Sequence, residues 1–311
     1  MHVTPKIAPK PEWLKIRPPG GEGYLKIKGL LKDLKLHTVC EEAHCPNVSE
    51  CWSGGTATVM LMGDVCTRGC KFCHVKSGNP KGLIDHEEPQ KVAYALKELG
   101  LTYVVLTSVD RDDLPDGGAD HFAKTVEEIK KQAPNTLVEV LIPDFKADEK
   151  CLERILESKA DVIAHNIETV ERLTPRVRDV RATYPQTLKV LNLIKQKSPK
   201  TFTKSSLMLG LGETHEEISK TMDDLRSVGV EILTIGQYLR PSNWHLPVEG
   251  YISPAQFKAY EELGLSKGFL FVPSGPLVRS SYKAGEKFIE AMLREQKTIG
   301  SEHDHGSHHT F

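Results

Sequence analysis

Two hydrophobic rhythms alternate along the chain. Short, continuous apolar runs occupy Thr56 to Met62, Tyr103 to Ser108, Thr136 to Ile142, Asp161 to Asn166, Ser205 to Gly210, Glu231 to Gly236 and Phe269 to Pro273. Their length and β-branched content predict strands buried on both faces. Between several of them, apolar positions recur every three or four residues: Gln90 to Leu99, Ala119 to Gln132, Asp148 to Ser158, Thr214 to Ser227 and Pro254 to Lys267. That spacing gives each segment one apolar helical stripe. Strand–helix alternation predicts an α/β fold with a parallel sheet. About six parallel strands in such units predict an open or partial (β/α) barrel, and no internal repeat is visible.

In such barrels functional groups gather on loops at the carboxyl ends of strands. The polar segments of this chain fall there. Cys66 follows the first strand, SVDRDDLPDGG (Ser108 to Gly118) the second and PDF (Pro143 to Phe145) the third. HNIET (His165 to Thr169) ends the fourth, GLGET (Gly210 to Thr214) ends the fifth, and QYLRPS (Gln237 to Ser242) follows the sixth. All are expected on one face.

The flanks break the pattern. Met1 to Gly23, rich in Pro, Lys and Gly, reads as an extended arm. Leu25 to Leu36 reads as a short basic amphipathic helix with a glycine flaw, most simply a solvated surface helix. The final SEHDHGSHHTF has no apolar support and reads as disordered. The predicted organisation is an N-terminal extension over 1–55, a barrel over 56–273, a C-terminal extension over 274–300 and a His-rich tail over 301–311.

Composition bounds the function. With 311 residues and 39% hydrophobic content, the chain can bury one large barrel core or two ordinary ones. Lys plus Arg, 41, nearly cancels Asp plus Glu, 42. There is thus no global charge suited to nucleic acid or an anionic membrane. No apolar run approaches the roughly 18–20 residues of a membrane helix. Met1 to Pro11 lacks the apolar core of a secretory signal, so a cytoplasmic protein is expected. Of seven cysteines, six fall between Cys40 and Cys73. In a reducing compartment such crowding argues for metal binding over disulfides.

CTRGCKFC, Cys66 to Cys73, sets three cysteines with three and then two residues between them. Three thiolates on one short loop can hold three irons of a cubane cluster, which ordinarily takes four cysteines. One iron stays open. Structural zinc usually wants four N/S ligands in two pairs, so the trio favours a cluster. The spacing resembles the signature of the radical S-adenosylmethionine (radical SAM) superfamily. There the open iron is chelated by the amino and carboxylate groups of S-adenosylmethionine. The resemblance implies one-electron cleavage to a 5′-deoxyadenosyl radical, with the protein holding and shielding the cofactor. Gly69 permits tight curvature. Phe72 offers an aromatic face, near the adenine by the same resemblance, or plain core packing. Arg68 offsets thiolate charge or is simply solvated.

A second trio, CEEAHCPNVSEC, sets four and then five residues between Cys40, Cys45 and Cys51. One four-iron cluster cannot take six cysteines and keep an open iron. Two clusters with three cysteines each fit the count, and the second then lacks a fourth ligand. Cys151 shares a helical apolar stripe with Leu152, Ile155 and Leu156 and reads as a core thiol. The missing ligand is therefore expected from another residue type.

The segments CEEAHCPNVSEC, CTRGCKFC, VLTSVDRDDLPDGGA, HNIET, GLGET and GPLVRSSY (Gly275 to Tyr282) together resemble the lipoyl synthase family. The resemblance spans about Cys40 to Tyr282, nearly the whole folded body. It implies two 4Fe–4S clusters. Cys66, Cys70 and Cys73 would bind the one that cleaves S-adenosylmethionine. Cys40, Cys45 and Cys51 would bind an auxiliary, sulfur-supplying one whose fourth ligand is a serine of RSSY, here Ser281, with Ser280 its neighbour. A serine alkoxide holds iron less tightly than thiolate and can let go; Arg279 can balance its charge. Alone, RSSY would read as a helix N-cap. Asn166 and Glu168 are similar to family residues near the ribose and amino group, and Gly212 and Glu213 would line the same pocket. Asp110, Arg111, Asp112 and Asp113 would orient cofactor or substrate. For each, the plain alternative is a cap, a turn or a surface ion pair.

The implied reaction inserts sulfur at carbons 6 and 8 of an octanoyl chain in amide linkage to a lysine of a lipoyl carrier domain. Implied partners are octanoylated carrier domains (2-oxoacid dehydrogenase E2, glycine cleavage H protein), a ferredoxin or flavodoxin electron donor, and an iron–sulfur cluster carrier protein. Neither nucleic acid nor membrane is expected. Three rival readings exist. Another radical SAM sulfur-inserting enzyme, methylthiotransferase-like, would spread its second cysteine set over a separate domain. An iron–sulfur electron carrier would leave the strand–helix units unexplained. A zinc module would be colourless, whereas two clusters bring roughly eight irons and a brown protein.

Overall fold

The computed structural model describes residues 9–15, 20, 22–42, 45, 47–53 and 56–281. The His-rich tail, Tyr282 and much of the N-terminal arm lie outside the described residues. Eight strands form one sheet whose spatial order repeats sequence order. They are β1 (His37–Thr38), β2 (Thr56–Leu61), β3 (Tyr103–Ser108), β4 (Leu137–Leu141), β5 (Val162–Ala164), β6 (Phe202–Leu209), β7 (Ile232–Gln237) and β8 (Ser274–Gly275). From β2 onward every pair is parallel, and β1 adds antiparallel, His37 opposite Met60. The longer helices are α1 (Glu22–Asp33), α2 (Glu88–Leu99), α3 (Ala119–Gln132), α4 (Glu149–Glu157), α5 (Tyr184–Lys197), α6 (His215–Ser227) and α7 (Pro254–Ser266). Among the described residues, no helix is long and apolar enough to cross a membrane.

Alternate strand positions serve two layers, as the pleat requires. Val104, Leu106, Val138 and Val140 pack outward with Val92 and Leu96 of α2, Phe122 and Ile129 of α3 and Leu152 of α4. Tyr103, Val105, Leu137, Val162, Phe202 and Ile232 form an inner cluster toward the amino ends of the strands. Beside it lies a buried ion pair. Lys204 Nζ sits 2.8 and 2.9 Å from the two Glu139 oxygens, and Tyr103 Oη donates to Glu139 at 2.7 Å. Buried charges are tolerated only when paired and hydrogen-bonded. Toward the carboxyl ends the inner positions become small or polar: Thr58, Thr107, Ser206 and Gly236. They cannot fill the interior, and a cavity of about 530 Å³ opens there, lined from all six strands β2 to β7 or their ends. Strands that share one cavity around its wall make a curled sheet, the partial barrel expected from sequence.

Three elements differ from the sequence reading. α5 was not expected, although Thr183 caps it through Gln186 N (3.3 Å) and Pro185 stands in its first turn. The strand expected over Phe269 to Pro273 is a single bridge at Phe271, followed by β8. Pro273 has no N–H to give a ladder, though its carbonyl accepts from Ile235 N at 2.8 Å. α1 is no free-standing solvated helix. Ile27 and Leu31 are buried, and Tyr24 stacks on Trp52 at 5.0 Å, against the second cysteine stretch.

Candidate active site

The chain leaves β2 through Met62 and Gly63, both at positive φ, and enters the cysteine loop. The Glu88 carboxylate accepts from Met62 N at 2.9 Å and fixes that turn. Val65–Cys66 then pairs in parallel with Lys76–Ser77, pinching the loop closed. Loops from later strands brace it. Thr67 N donates to Asp110 O at 2.9 Å, and Gly69 N to Asp179 Oδ2 at 2.9 Å. Arg181 reaches Asp179 Oδ1 (2.8 Å), Asp112 Oδ2 (3.0 Å) and Thr67 O (2.8 Å).

Arg68 is the centre of this brace. It is 5% exposed, grips Asp144 at 2.5 and 2.8 Å, and grips Asp112 with two bonds of 3.0 Å. Burial opposes its charge, but the Asp144 and Asp112 hydrogen bonds overcome that and keep it protonated. Burial likewise works to raise Asp144, and Arg68 reverses this, bringing it down to about 2. The solvated alternative for Arg68 therefore does not apply.

Burial pushes the three thiols up, Cys66 and Cys73 to about 11 and Cys70 to about 12. Alone they stay protonated at neutral pH; a bound metal would displace the protons. Backbone donors already point at sulfur. Asp110 N lies 3.3 Å and Arg68 N 3.4 Å from Cys66 Sγ, and Asp179 N lies 3.3 Å from Cys70 Sγ. Among the described residues, no three His, Cys, Asp or Glu side chains gather tightly enough for a single metal ion. A cubane asks for something else, thiols spread over separate irons around a common space. Cys66, Cys70 and Cys73 all face the cavity, with Phe72 beside them.

The same cavity wall carries unpaired polar atoms. Ser108 Oγ, His165 Nε2, Asn166 Oδ1 and Arg178 Nε are buried without a hydrogen-bond partner, and their residues line the cavity. Buried polar atoms are rarely left so, and a polar ligand would satisfy them. Burial takes His165 down to about 4, and Ile142 O, an acceptor only, takes its Nδ1–H at 2.9 Å. Its Nε2 is thereby an acceptor. Asn166 Nδ2 donates to Glu168 Oε1 at 3.0 Å. Glu168 sits at φ 66, a left-handed backbone uncommon for a non-glycine residue and often found at functional sites. This donor and acceptor set fits an amino-acid-bearing nucleoside, and the three thiols fit a cluster with one open iron.

The second trio meets the same cavity. Cys40 and Cys45 line it together with Val278, Arg279, Ser280 and Ser281. Burial raises Cys40 to about 11 and raises Cys45, while the Asn47 backbone N–H and then the nearby Arg279 charge draw Cys45 back. Asn47 Nδ2 donates to Leu277 O at 2.7 Å, tying the cysteine stretch to the serine turn. Gly236 makes the crossing possible, because a Cβ there would collide with the carbonyl oxygen of Val278. Cys51 is buried in the apolar core near Cys40 and Trp52 but is not on the cavity wall.

Gly212 and Glu213 are not brought to the cavity. The Glu213 carboxylate accepts from its own loop, Gly210 N and Leu211 N (2.9 Å for the latter), and Gly212 O accepts from Arg172. Within the acidic loop only Asp110 and Asp112 approach the cysteines, while Arg111 and Asp113 pair with each other at 2.8 Å. Cys151 packs half-buried beside the core and bonds Asp116 O at 3.5 Å. Sequence reasoning missed Arg178, Asp179 and Arg181. The charge pattern RVRDVR between β5 and α5 was the available signal.

Comparison with known proteins agrees with this geometry. Residues 60–225 match the Radical SAM superfamily, and residues 6–45 match the N-terminal domain of lipoyl synthase of the Radical SAM family. The lipoyl synthase of Myxococcus xanthus is 58% identical over 288 residues, 93% of this chain and 96% of that protein. That of Thermus thermophilus is 59% identical, covering 92% of this chain and 88% of that protein. Among solved structures, methylornithine synthase superposes with TM-score 0.51 at 15% identity, covering 78% of this chain and 81% of that one. The FeFe-hydrogenase maturase of Carboxydothermus hydrogenoformans does so with 0.53 at 14%, covering 78% and 66%. These two bear on the fold alone. Matched over nine-tenths of its length by relatives of that identity, and carrying thiols of both cysteine trios on one cavity, the chain belongs to the lipoyl synthase family of the radical SAM superfamily.

Proposed function

We propose that this chain inserts two sulfur atoms, at carbons 6 and 8, into an octanoyl chain carried on a lysine of a lipoyl domain. Superfamily membership brings S-adenosylmethionine and one 4Fe–4S cluster; a second cluster as sulfur donor is part of the proposal. Cys66, Cys70 and Cys73 would hold the first cluster. Asn166, Glu168 and Arg178 would hold S-adenosylmethionine, with Phe72 at its side. Cys40, Cys45, Cys51 and Ser281 would hold the sulfur donor. When bound, the cofactor supplies a 5′-deoxyadenosyl radical that removes hydrogen from an unactivated carbon, a bond no acid or base can ionise.

The chain's own residues orient and enclose. Apolar Leu141, Ile142, Leu207, Met208 and Leu239 give the cavity a wall suited to an alkyl chain. The apolar part of the wall also keeps water and quenching groups away from a reactive carbon. Ser281, an oxygen ligand among thiols, would release more readily than cysteine and so free one corner of the donor. In this reading 56–273 is the catalytic barrel, and 1–55 and 274–300 bring the sulfur donor to it.

The observation that carries the proposal is the single cavity shared by thiols of both trios and Ser281. The test is anaerobic turnover of an octanoylated carrier peptide by the reconstituted protein. Cys70→Ala should abolish 5′-deoxyadenosine formation. Cys45→Ala should keep it and lose carbon–sulfur product. Lipoyl product from Cys45→Ala would end the donor assignment.

A further inference from the structure

Every reductive cleavage of S-adenosylmethionine consumes one electron, and the cysteine loop that would receive it lies close to a surface patch, Trp244 and Lys71, that is not part of the cavity wall. Trp244 is 63% exposed, and Lys71 Nζ stands 4.3 Å from its ring centroid. Lys71 lies between Cys70 and Phe72; its backbone donates to Val177 O at 2.8 Å and accepts from Leu246 N at 3.3 Å. Trp244 meets His245 edge-on at 5.1 Å. His245 is buried, and its Nε2 lies 2.9 Å from Cys73 O. A carbonyl only accepts, so Nε2 carries the proton and Nδ1 accepts from Ser242 Oγ–H at 2.8 Å. One exposed ring and one buried imidazole thus connect solvent to a cluster-ligand residue.

The patch is also unbalanced in charge. Among the described residues Arg240 donates only to the backbone oxygens of His245 (2.9 Å) and Asn243. Among the described residues no carboxylate pairs with Lys71 or Arg240. Other cations on the same side are answered: Arg176 by Glu249 at 2.9 Å, Arg172 by Glu217, Arg181 by Asp179 and Asp112. Exposed Trp beside unpaired cations is the composition of a protein-binding hot spot for an acidic partner.

We propose that Trp244 and Lys71, with Arg240 beside them at the cavity wall, form the docking site for the protein that delivers electrons, a one-electron carrier whose cofactor edge is rimmed by carboxylates. This rests on the radical reading of the cavity. One electron passes from the reduced carrier to the cluster and is consumed as the sulfonium carbon–sulfur bond breaks; the carrier leaves oxidised. The carrier domain of the substrate would use the cavity mouth instead.

The test compares two reductants on the reconstituted holoenzyme: dithionite, which needs no docking, and reduced flavodoxin at sub-saturating concentration. The readouts are 5′-deoxyadenosine, lipoyl product and the Kd of flavodoxin for the iron-free protein by calorimetric titration, which each variant should weaken and which, if unchanged, overturns the assignment. Trp244→Ala and Lys71→Glu should each cut the flavodoxin-driven rate by about tenfold while dithionite-driven rates stay within about twofold. Added salt should slow flavodoxin-driven turnover of the unmodified enzyme and affect Lys71→Glu less. Equal falls with both reductants, no fall with flavodoxin, or a raised KM for the octanoylated carrier under dithionite would each overturn the docking assignment. A silent dithionite arm in the unmodified enzyme would instead overturn the radical reading, and this proposal with it.

Discussion

Replacing Arg68 with methionine isolates the brace beneath the cysteine loop. The two side chains are of similar volume, so the change removes charge and donors more than bulk. Asp112 keeps Thr67 Oγ1 at 2.8 Å and Arg181 at 3.0 Å. Asp144, 2% exposed, keeps Lys146 N at 2.9 Å but becomes a buried carboxylate without a counter-charge. Breaking a buried pair from one side costs about 3–5 kcal/mol. That is a large share of a domain stability of about 5–15 kcal/mol. The sign of the pH effect follows from Asp144, which Arg68 holds at about 2. Its ordinary value is about 3.9. Its stabilising contribution is therefore complete above pH of about 4 and is lost as pH falls toward 2. Urea melts of the reduced, iron-free protein should show Arg68→Met destabilised by that amount at neutral pH, with a weaker loss on acidification. Arg68→Met with Asp144→Leu should recover more than half, because the most deeply buried carboxylate is gone and only Asp110, 3.4 Å from Arg68 in the parent, still lacks its counter-charge. A single variant within about 0.5 kcal/mol of the parent, the range of ordinary surface changes, or a double variant no better than the single, would refute the reasoning.

Other perturbations follow from the same geometry. Lys204→Met should cost about 3–5 kcal/mol in urea melts by stranding Glu139, and Glu139→Leu with Lys204→Met should restore most of it. Gly236→Ala forces Val278 and the serine turn outward at roughly 1–3 kcal/mol of overpacking. It should lose sulfur insertion while 5′-deoxyadenosine formation persists, which product analysis reads directly. Asp179→Ala removes the acceptor for Gly69 N and a partner of Arg181, so iron retained at the Cys66–Cys73 loop should fall on gel filtration while Cys40–Cys51 iron stays. Glu168→Gln should raise the KM for S-adenosylmethionine more than it lowers the rate of a saturated enzyme, since the residue is assigned to binding.

What could be read in advance was what is written locally. β3 and α3 match the expected Tyr103 to Ser108 and Ala119 to Gln132 because doubly buried strands and amphipathic helices leave short-range patterns. The cysteine trios were legible for the same reason. The brace was not: Asp179 meets Gly69 and Cys70 from more than a hundred residues away, and nothing in RVRDVR names its partners. Glu213 misled in the opposite direction. At a strand's carboxyl end it looked like a pocket residue, but a carboxylate two or three positions after free backbone N–H groups closes its own turn first. Thr183 and Pro185 did announce α5, yet the polar run before them hid its start.

The central claim is that Cys40, Cys45, Cys51 and Ser281 hold sulfur that ends in the product. Reconstituting the protein with heavy-isotope sulfide, removing the excess, and adding an octanoylated peptide, S-adenosylmethionine and dithionite tests it directly. Mass spectrometry of a single turnover should find both inserted sulfur atoms heavy, even with light sulfide in the buffer. Light sulfur in the product, or heavy product from Cys45→Ala, would contradict it.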